Sequence, residues 1–336
     1  MKILILYCKD SNSAKKWEIA CSKIGLEYYS LDISFHNWLE IINRYKPDLI
    51  LLKPPGDIEI NKIMFDERIY ILSQILKYKI FPLFKENIIY ENKKMLSYYL
   101  EALGIPHPNT HVFYNKEEAL NFINQNNNYP IVGKINIGAS GKGIQFLNNY
   151  KEVLHYIQRS FSKVGLKSRW YPDFKKGNLI RRMKNFTKNK SYRTERFNTY
   201  KAIYDESQRG FVIFQEYIPH EYEWRVVRIG DSFFAHKKLK RGNKASGTLK
   251  KGYGTPPLDL LDFVKEITDK HQLYSQSIDI FESERGYLIN EMQCIFGQSD
   301  PYQMLINGIP GRYIMIEGKW QFEEGDFNTN ESYDLR

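Results

Sequence analysis

Residues 131–147 read IVGKINIGASGKGIQFL, and the device made by Gly138, Gly141 and Gly143 with their lysines decides the fold. A P-loop requires G-x-x-x-x-G-K-[ST] between a strand and a helix; here Asn136 stands where the first glycine belongs and Gly143 follows Lys142, so that pattern fails. The dinucleotide loop G-x-G-x-x-G fails as well, because the order is G-x-x-G-x-G and the following IQFL is β-like. The stretch therefore reads as two strands joined by a glycine loop, a lid whose backbone N–H groups can close over phosphates without side chains in the way.

Upstream, residues 1–88 alternate β-rich runs (KILILYC, EYYSLDI, DLILLK) with helical patterns (AKKWEIACSKIG, NWLEIINRYK, RIYILSQILKYK), which predicts parallel α/β layering. Gly25 marks a helix stop, and Pro54-Pro55-Gly56-Asp57 a turn after the third strand. NKKMLSYYLEALGIPHP predicts an amphipathic helix with Met95, Tyr98, Tyr99 and Ala102 on its apolar face, ended by Gly104 and Pro106. Then come a strand (THVFY), a helix (KEEALNFINQ), the two strands around the glycine loop, and a helix (KEVLHYIQRSF). Farther on, FVIFQEYI is a strand, EWRVVRIGDSFFAHKKLK a hairpin turning at Gly230-Asp231, LLDFVKEITDKHQ a helix and SIDIFESERGYLINEMQCIF a second hairpin.

The chain of 336 residues is 42% hydrophobic, enough for two or three domains. The apolar opening is short and meets Lys9 and Asp10, and no run approaches the roughly 18 apolar residues of a membrane span. Cys8, Cys21 and Cys294 are far apart and form no Cys-x-x-Cys pair. Neither a disulfide framework nor a zinc knuckle follows, and reduced thiols fit a cytoplasmic protein. The net charge of +10 is concentrated: residues 159–201 hold fourteen Lys and Arg against Asp173 and Glu195, leaving 35 basic and 37 acidic residues elsewhere.

Lys134 precedes the loop on the incoming strand, and a lysine followed by a small-residue loop resembles the ATP-grasp superfamily. Three further features accord with that resemblance. The first is a metal site, for which two Mg²⁺ ions on nucleotide phosphates want hard oxygen ligands. If Asp279 pairs with Glu291, the second hairpin centres on Arg285 with a three- to five-residue loop, and Asp279, Glu291 and Gln293 converge. Inward-facing acids among Ile278, Ile280, Ile289 and Met292 need a purpose. The family pattern is Asp, then Glu-x-Asn, and this chain has Gln293 in the Asn place.

The second feature is FQEYIPHEYEWRV, which resembles the superfamily's hinge strand. The resemblance implies that main-chain groups of Glu216, Tyr217 and Ile218 pair with adenine and that Glu223 takes the ribose hydroxyls. The third is complementarity for a migrating phosphoryl group. Folding the first hairpin at Gly230-Asp231 pairs Arg225 with His236 and Glu223 with Lys238, all on one face. Arg225 and Lys238 are the candidate catalytic residues, with His236 lining the same anionic site. The resemblance further implies ATP contacts from Lys93, Lys134 and the loop positions Ser140, Gly141 and Gly143.

Together these features span roughly residues 88–298. They are similar to the glutathione synthetase and D-alanine:D-alanine ligase group, and most of all to bacterial ATP-grasp proteins with KASG and GDFN stretches, here residues 244–247 and 325–328. The implied architecture is α/β and α+β: a small parallel pre-ATP-grasp domain (1–88), a first lobe (89–212) with the glycine lid and a basic insertion (159–201), and a second lobe (213–336) with the metal site and C-terminal tail.

The implied activity is an ATP-dependent, ADP-producing ligase using ATP and two Mg²⁺ ions, which makes an acyl phosphate from a carboxylate and passes it to an amine. Two other readings use the same residues: an ATP-grasp kinase acting on a hydroxyl, and a nucleic-acid-binding or scaffold protein driven by the basic, aromatic-bearing residues 159–201. A basic run is usually a solvated face, so an acidic small-molecule or carrier-linked substrate is preferred over nucleic acid. Related ligases are commonly homodimers.

Overall fold

The computed structural model describes residues 1–138, 143–167, 193–194, 207–241, 244–245, 251–298 and 300–336. They divide into two compact units, one made of Met1–Gly56, Ile60–Asn109 and Ile218–Arg336, the other of Asp57–Glu59 and Thr110–Tyr217. The division between Tyr217 and Ile218 falls inside the expected hinge segment.

The first unit begins with β1 (Lys2–Tyr7), α1 (Lys15–Lys23), β2 (Glu27–Asp32), α2 (Trp38–Tyr45), β3 (Leu49–Leu52), α3 (Glu59–Tyr70) and β4 (Ile80–Phe81). The strands form a parallel sheet in the order β2-β1-β3-β4. Ile3, Leu4, Ile5 and Leu6 are all buried, as an unbroken apolar run covered on both faces demands. Next come α4 (Phe84–Ile89) and α5 (Lys93–Ala102), the latter capped by the Asn92 side chain accepting from Met95 N–H. The buried face of α5 is Leu96, Ser97 and Leu100, so the face expected from Met95, Tyr98, Tyr99 and Ala102 is corrected: Met95 and Tyr99 are half-buried, Tyr98 and Ala102 exposed.

The second unit holds β5 (Thr110–Phe113), α6 (Lys116–Gln125), β6 (Ile131–Lys134), β7 (Ile144–Leu147), α7 (Tyr150–Ser160) and β8 (Val212–Glu216). Its antiparallel sheet runs β5-β8-β6-β7, with Asn115 and Asn149 capping α6 and α7. The strands flanking the glycine loop pair directly, Lys134 opposite Ile144. Gly143 closes that pair with φ +77°, and a Cβ there would stand 2.4 Å from the Ile135 side chain. Both conformation and space therefore require glycine. Gly143→Ala is expected to destabilise by about 1–3 kcal/mol in urea denaturation.

The first unit resumes with β9 (Tyr222–Ile229), β10 (Ser232–Arg241), β11 (Lys244–Ala245), β12 (Lys251–Gly252), α8 (Leu258–Lys270), β13 (Ser275–Ser283), β14 (Gly286–Gln293), β15 (Leu305–Ile306), β16 (Ile309–Ile316) and β17 (Lys319–Glu324). A nine-stranded antiparallel sheet runs β14-β13-β9-β10-β16-β15, with β11 and β12 also on β10 and β17 on β16. Trp224, Val226, Ile278, Ile280, Ile289 and Met292 join Leu260, Leu261 and Val264 of α8 in one core. The alternate positions carry the polar residues of the candidate site. The hairpin expected to turn through three to five residues around Arg285 instead has a two-residue turn between Ser283 and Gly286. A bulge between Asp279 and Ile280 makes up the difference and preserves the Asp279–Glu291 pairing.

Candidate active site

Four strands present their inward side chains in register. Glu291 of β14 pairs with Asp279 of β13, Asp279 with Arg225 of β9, and Arg225 with His236 of β10. One step along, Glu223 pairs with Lys238, and Lys238 with Lys251 of β12. The turn at Gly230-Asp231, with Gly230 at φ +57°, sets the β9–β10 register expected from the sequence. None of these positions is a solvated strand face: Asp279 and His236 are 1% exposed, Lys238 5% and Glu223 6%.

Asp279 is the electrostatic centre. Arg225 donates from Nε to Oδ1 (2.7 Å) and from Nη2 to Oδ2 (2.9 Å), and Lys238 Nζ donates to Oδ2 (2.5 Å) and to Glu223 Oε2 (2.8 Å). Burial works to raise the Asp279 pKa, but Arg225 and Lys238 outweigh it and hold the carboxyl well below its usual range. Burial likewise works to depress Lys238, and Asp279 and Glu223 outweigh it, so the ammonium titrates above its ordinary value. Arg225 is raised in the same way, burial being overcome by Asp279, Glu291 and Glu223. All three stay charged at neutral pH.

His236 differs. Burial first, then the charges of Arg225 and Lys251, push it down from the ordinary 6.5 to about 3, so it is a neutral ring, and its expected part in an anionic site is corrected to that of an uncharged hydrogen-bonding group. Between about pH 6.5 and 3 the unfolded chain binds a proton here that the folded one refuses. Stability therefore falls with decreasing pH in that window, by up to about 1.4 kcal/mol per unit. In urea titrations at pH 7 and pH 5, His236→Gln is expected to shrink the difference by about 2 kcal/mol.

The remaining candidates are distributed as follows. Lys93 opens α5 with Nζ 3.9 Å from Glu91 Oε2, and Glu91 Oε1 accepts a 2.9 Å hydrogen bond from the Gln293 amide. Lys134 is buried on β6, where its carbonyl accepts from the Tyr156 hydroxyl at 3.1 Å. Glu216 ends β8 opposite Ile131, Tyr217 stands edge-on to Phe146, and Ile218 is buried with Phe281 and Leu288. Ser140 and Gly141 lie outside the described residues, as do Ser246, Gly247 and most of the basic segment 159–201. Sequence reading missed Glu91 and the group Lys251, Tyr253 and Asp300, in which Lys251 Nζ (2.7 Å) and the Tyr253 hydroxyl (2.9 Å) both donate to Asp300 Oδ2. A two-residue strand has no periodicity to read, but Lys251 and Tyr253, two apart, keep the spacing of one strand face.

The donor chemistry fits Mg²⁺. Asp279 and Glu291 offer paired carboxylates, and Gln293, two residues along, offers an amide oxygen while its nitrogen is held by Glu91. Asp279 already accepts three N–H bonds, and a carboxylate has about four acceptor sites, so one remains. No group of three His, Cys, Asp or Glu side chains is gathered for a metal among the described residues. A cation here would take one or two carboxylates and complete its shell with phosphates and water, as Mg²⁺ does.

No family model and no curated protein sequence matches the chain. Solved structures do. A RimK-domain ATP-grasp protein of Sphaerobacter thermophilus superposes over 89% of this chain and 93% of its own, with a TM-score of 0.54 at 14% identity. The chain has the ATP-grasp fold. N5-carboxyaminoimidazole ribonucleotide synthetase, solved with ADP, gives a TM-score of 0.56 at 14% identity over 92% of this chain and 75% of that one. D-alanine–D-alanine ligase from Bacillus anthracis, solved with ATP, gives 0.53 at 12% over 88% and 86%. On this ATP-grasp fold the row of acids and bases lies on the large antiparallel sheet, and the glycine loop joins β6 to β7 of the smaller one.

Proposed function

We propose that the chain is an ATP-dependent carboxylate–amine ligase that activates a carboxylate as an acyl phosphate and passes the acyl group to an amine. The observation that carries this reading is the row Glu291, Asp279 and Arg225, with Lys238 beside it and Asp279 and Lys238 buried, on an ATP-grasp fold. A carboxylate and a γ-phosphate repel each other, and Arg225 and Lys238, fixed by Asp279 before any substrate arrives, offset that repulsion without reorganising. Mg²⁺ held by Asp279, Glu291 and Gln293, as two ions, would neutralise the phosphate charge.

In this reading the ATP-contacting candidates of the first unit are Lys93, Ile218 and Glu223, the last offering ribose hydroxyls the acceptor sites that Lys238 leaves open, and those of the second unit, taken by itself, are Lys134, Glu216 and Tyr217. Ser140, Gly141 and Gly143 are the further ATP-contacting positions of this reading. No side-chain nucleophile is needed, and Cys294 is unsuited to be one, since burial pushes its thiol far above the usual range. The basic segment 159–201 receives an anionic part of the substrate.

No helix among the described residues is long and apolar enough to cross a membrane, and all three cysteines are free and buried. The test is incubation with Mg-ATP, hydroxylamine and a small-molecule extract. A hydroxamate formed together with ADP and free phosphate supports the ligase, and its mass identifies the carboxylate. A phosphorylated metabolite without free phosphate makes the enzyme a kinase instead.

A further inference from the structure

His236 is anchored at one nitrogen only. Nδ1 lies 3.1 Å from the Gln303 carbonyl, so it carries the proton, and Nε2 is a buried acceptor with no hydrogen-bond partner among the described residues. A buried acceptor left unsatisfied is costly, and such groups are rare in folded chains. The ring stands at the β10 end of the row, one strand from Arg225, two from Asp279 and three from Glu291, which at roughly 4.8 Å per strand places it about 10 Å from the first of the two carboxylates and about 14 Å from the second. Across β10 the Tyr253 ring lies 5.9 Å away, and Tyr253 and Lys251 grip Asp300.

The segment carrying Asp300 is itself held from the GDFN stretch. Asn328 Nδ2 donates to the Gln298 and Asp300 carbonyls (3.1 and 2.5 Å), and Asn328 Oδ1 accepts from Gln303 Nε2 (3.0 Å). Asn328 is thus a positioning residue for the walls around His236.

We propose that His236 Nε2 accepts a hydrogen bond from the uncharged amine consumed in the ligation, so that the amine subsite lies at the β10 end of the row. This rests on the ligase reading above and deepens it. Two observations and one chemical requirement converge. The order along the sheet (carboxylates for the cation, Arg225 for the transferring phosphoryl group, then a bare acceptor) matches the order in which metal, acyl phosphate and nucleophile must stand. Burial first, then the charges of Arg225 and Lys251, together outweigh Asp279 in depressing the ring's own pKa, and the same surroundings disfavour an ammonium ion at Nε2 but not a neutral N–H donor. An amine must be uncharged to attack, so a subsite that selects that form by electrostatics supplies the reactive species.

The test uses the full chain with Mg-ATP, the extract that supplies the carboxylate, and hydroxylamine as the probe nucleophile. His236→Phe keeps an aromatic ring but removes the acceptor; kcat/KM for hydroxylamine is expected to fall about tenfold, with KM for ATP unchanged. His236→Gln, whose amide oxygen reaches about as far as Nε2, is expected to recover most of the loss. Hydroxamate formation by the wild type with an unaltered kcat/KM in His236→Phe overturns the subsite alone, as does an equal change in both substrates' parameters. No hydroxamate from the wild type overturns the ligase reading and this inference with it.

Discussion

Asp279→Ala is expected to lower the stability of the chain by about 3–5 kcal/mol, because it removes the carboxylate on which two buried cations depend. Arg225 loses both of its strong hydrogen bonds, and Lys238 keeps only Glu223. The loss measures stranded charge rather than a net gain from the ion pair. The double variant Asp279→Leu/Arg225→Met removes one charge of each sign and leaves Lys238 matched with Glu223, so it should return to within about 1–2 kcal/mol of the wild type while having no ATP turnover. Urea denaturation of the three proteins, with m-values compared, separates the two. Acid reaches the same end by protonation. The folded-state pKa of Asp279 lies below the unfolded one, so its stabilisation is complete above about pH 4 and drains as pH falls through the folded value.

Glu291→Ala should do the reverse, abolishing activity and sparing the fold. Glu291 is half-buried at the end of the row and pairs with Asp279 across the ladder, but among the residues it faces, Arg225 already has Asp279 as its close partner. In the proposed reading Glu291 contributes negative charge and oxygen for the cation. Its loss is expected to cut Mg-ATP turnover by at least about 10³-fold, with the denaturation midpoint little changed. Loss of turnover accompanied by unfolding would make Glu291 a structural acid. Retained turnover would remove it from the metal site.

Much of this site is legible in the sequence, because strand register follows from short-range chemistry. Gly230-Asp231 fixes which residues of β9 and β10 face each other, and from that alone Glu223, Arg225, His236 and Lys238 share a face. The sequence predicts the Asp279–Glu291 pairing with a longer turn than the chain has; the bulge supplies the missing residue, so the pairing holds. The parallel sheet was equally legible in the unbroken apolar run of β1.

What escaped depends on long-range packing. His236 is grouped with Arg225 and Lys238 at the anionic site only until its burial and the charges of Arg225 and Lys251, the latter delivered by a two-residue strand, are known. Glu91, outside any motif, meets Gln293 across 202 residues of sequence. On α5, Tyr98 has as much apolar body as a core residue, and only the packing of Leu96 and Leu100 into the large sheet's core shows which face is inward.

The claim that a carboxylate is activated by phosphorylation is tested most directly by the fate of its oxygen. Once the hydroxamate's mass has identified the carboxylate, that compound is supplied with heavy oxygen in its carboxyl group, together with Mg-ATP and its amine, and the released phosphate is analysed by mass. One heavy oxygen per phosphate is the predicted result, since the acyl phosphate's bridging oxygen leaves with phosphorus. Phosphate without label would show that no acyl phosphate forms, and the ligase account would be wrong.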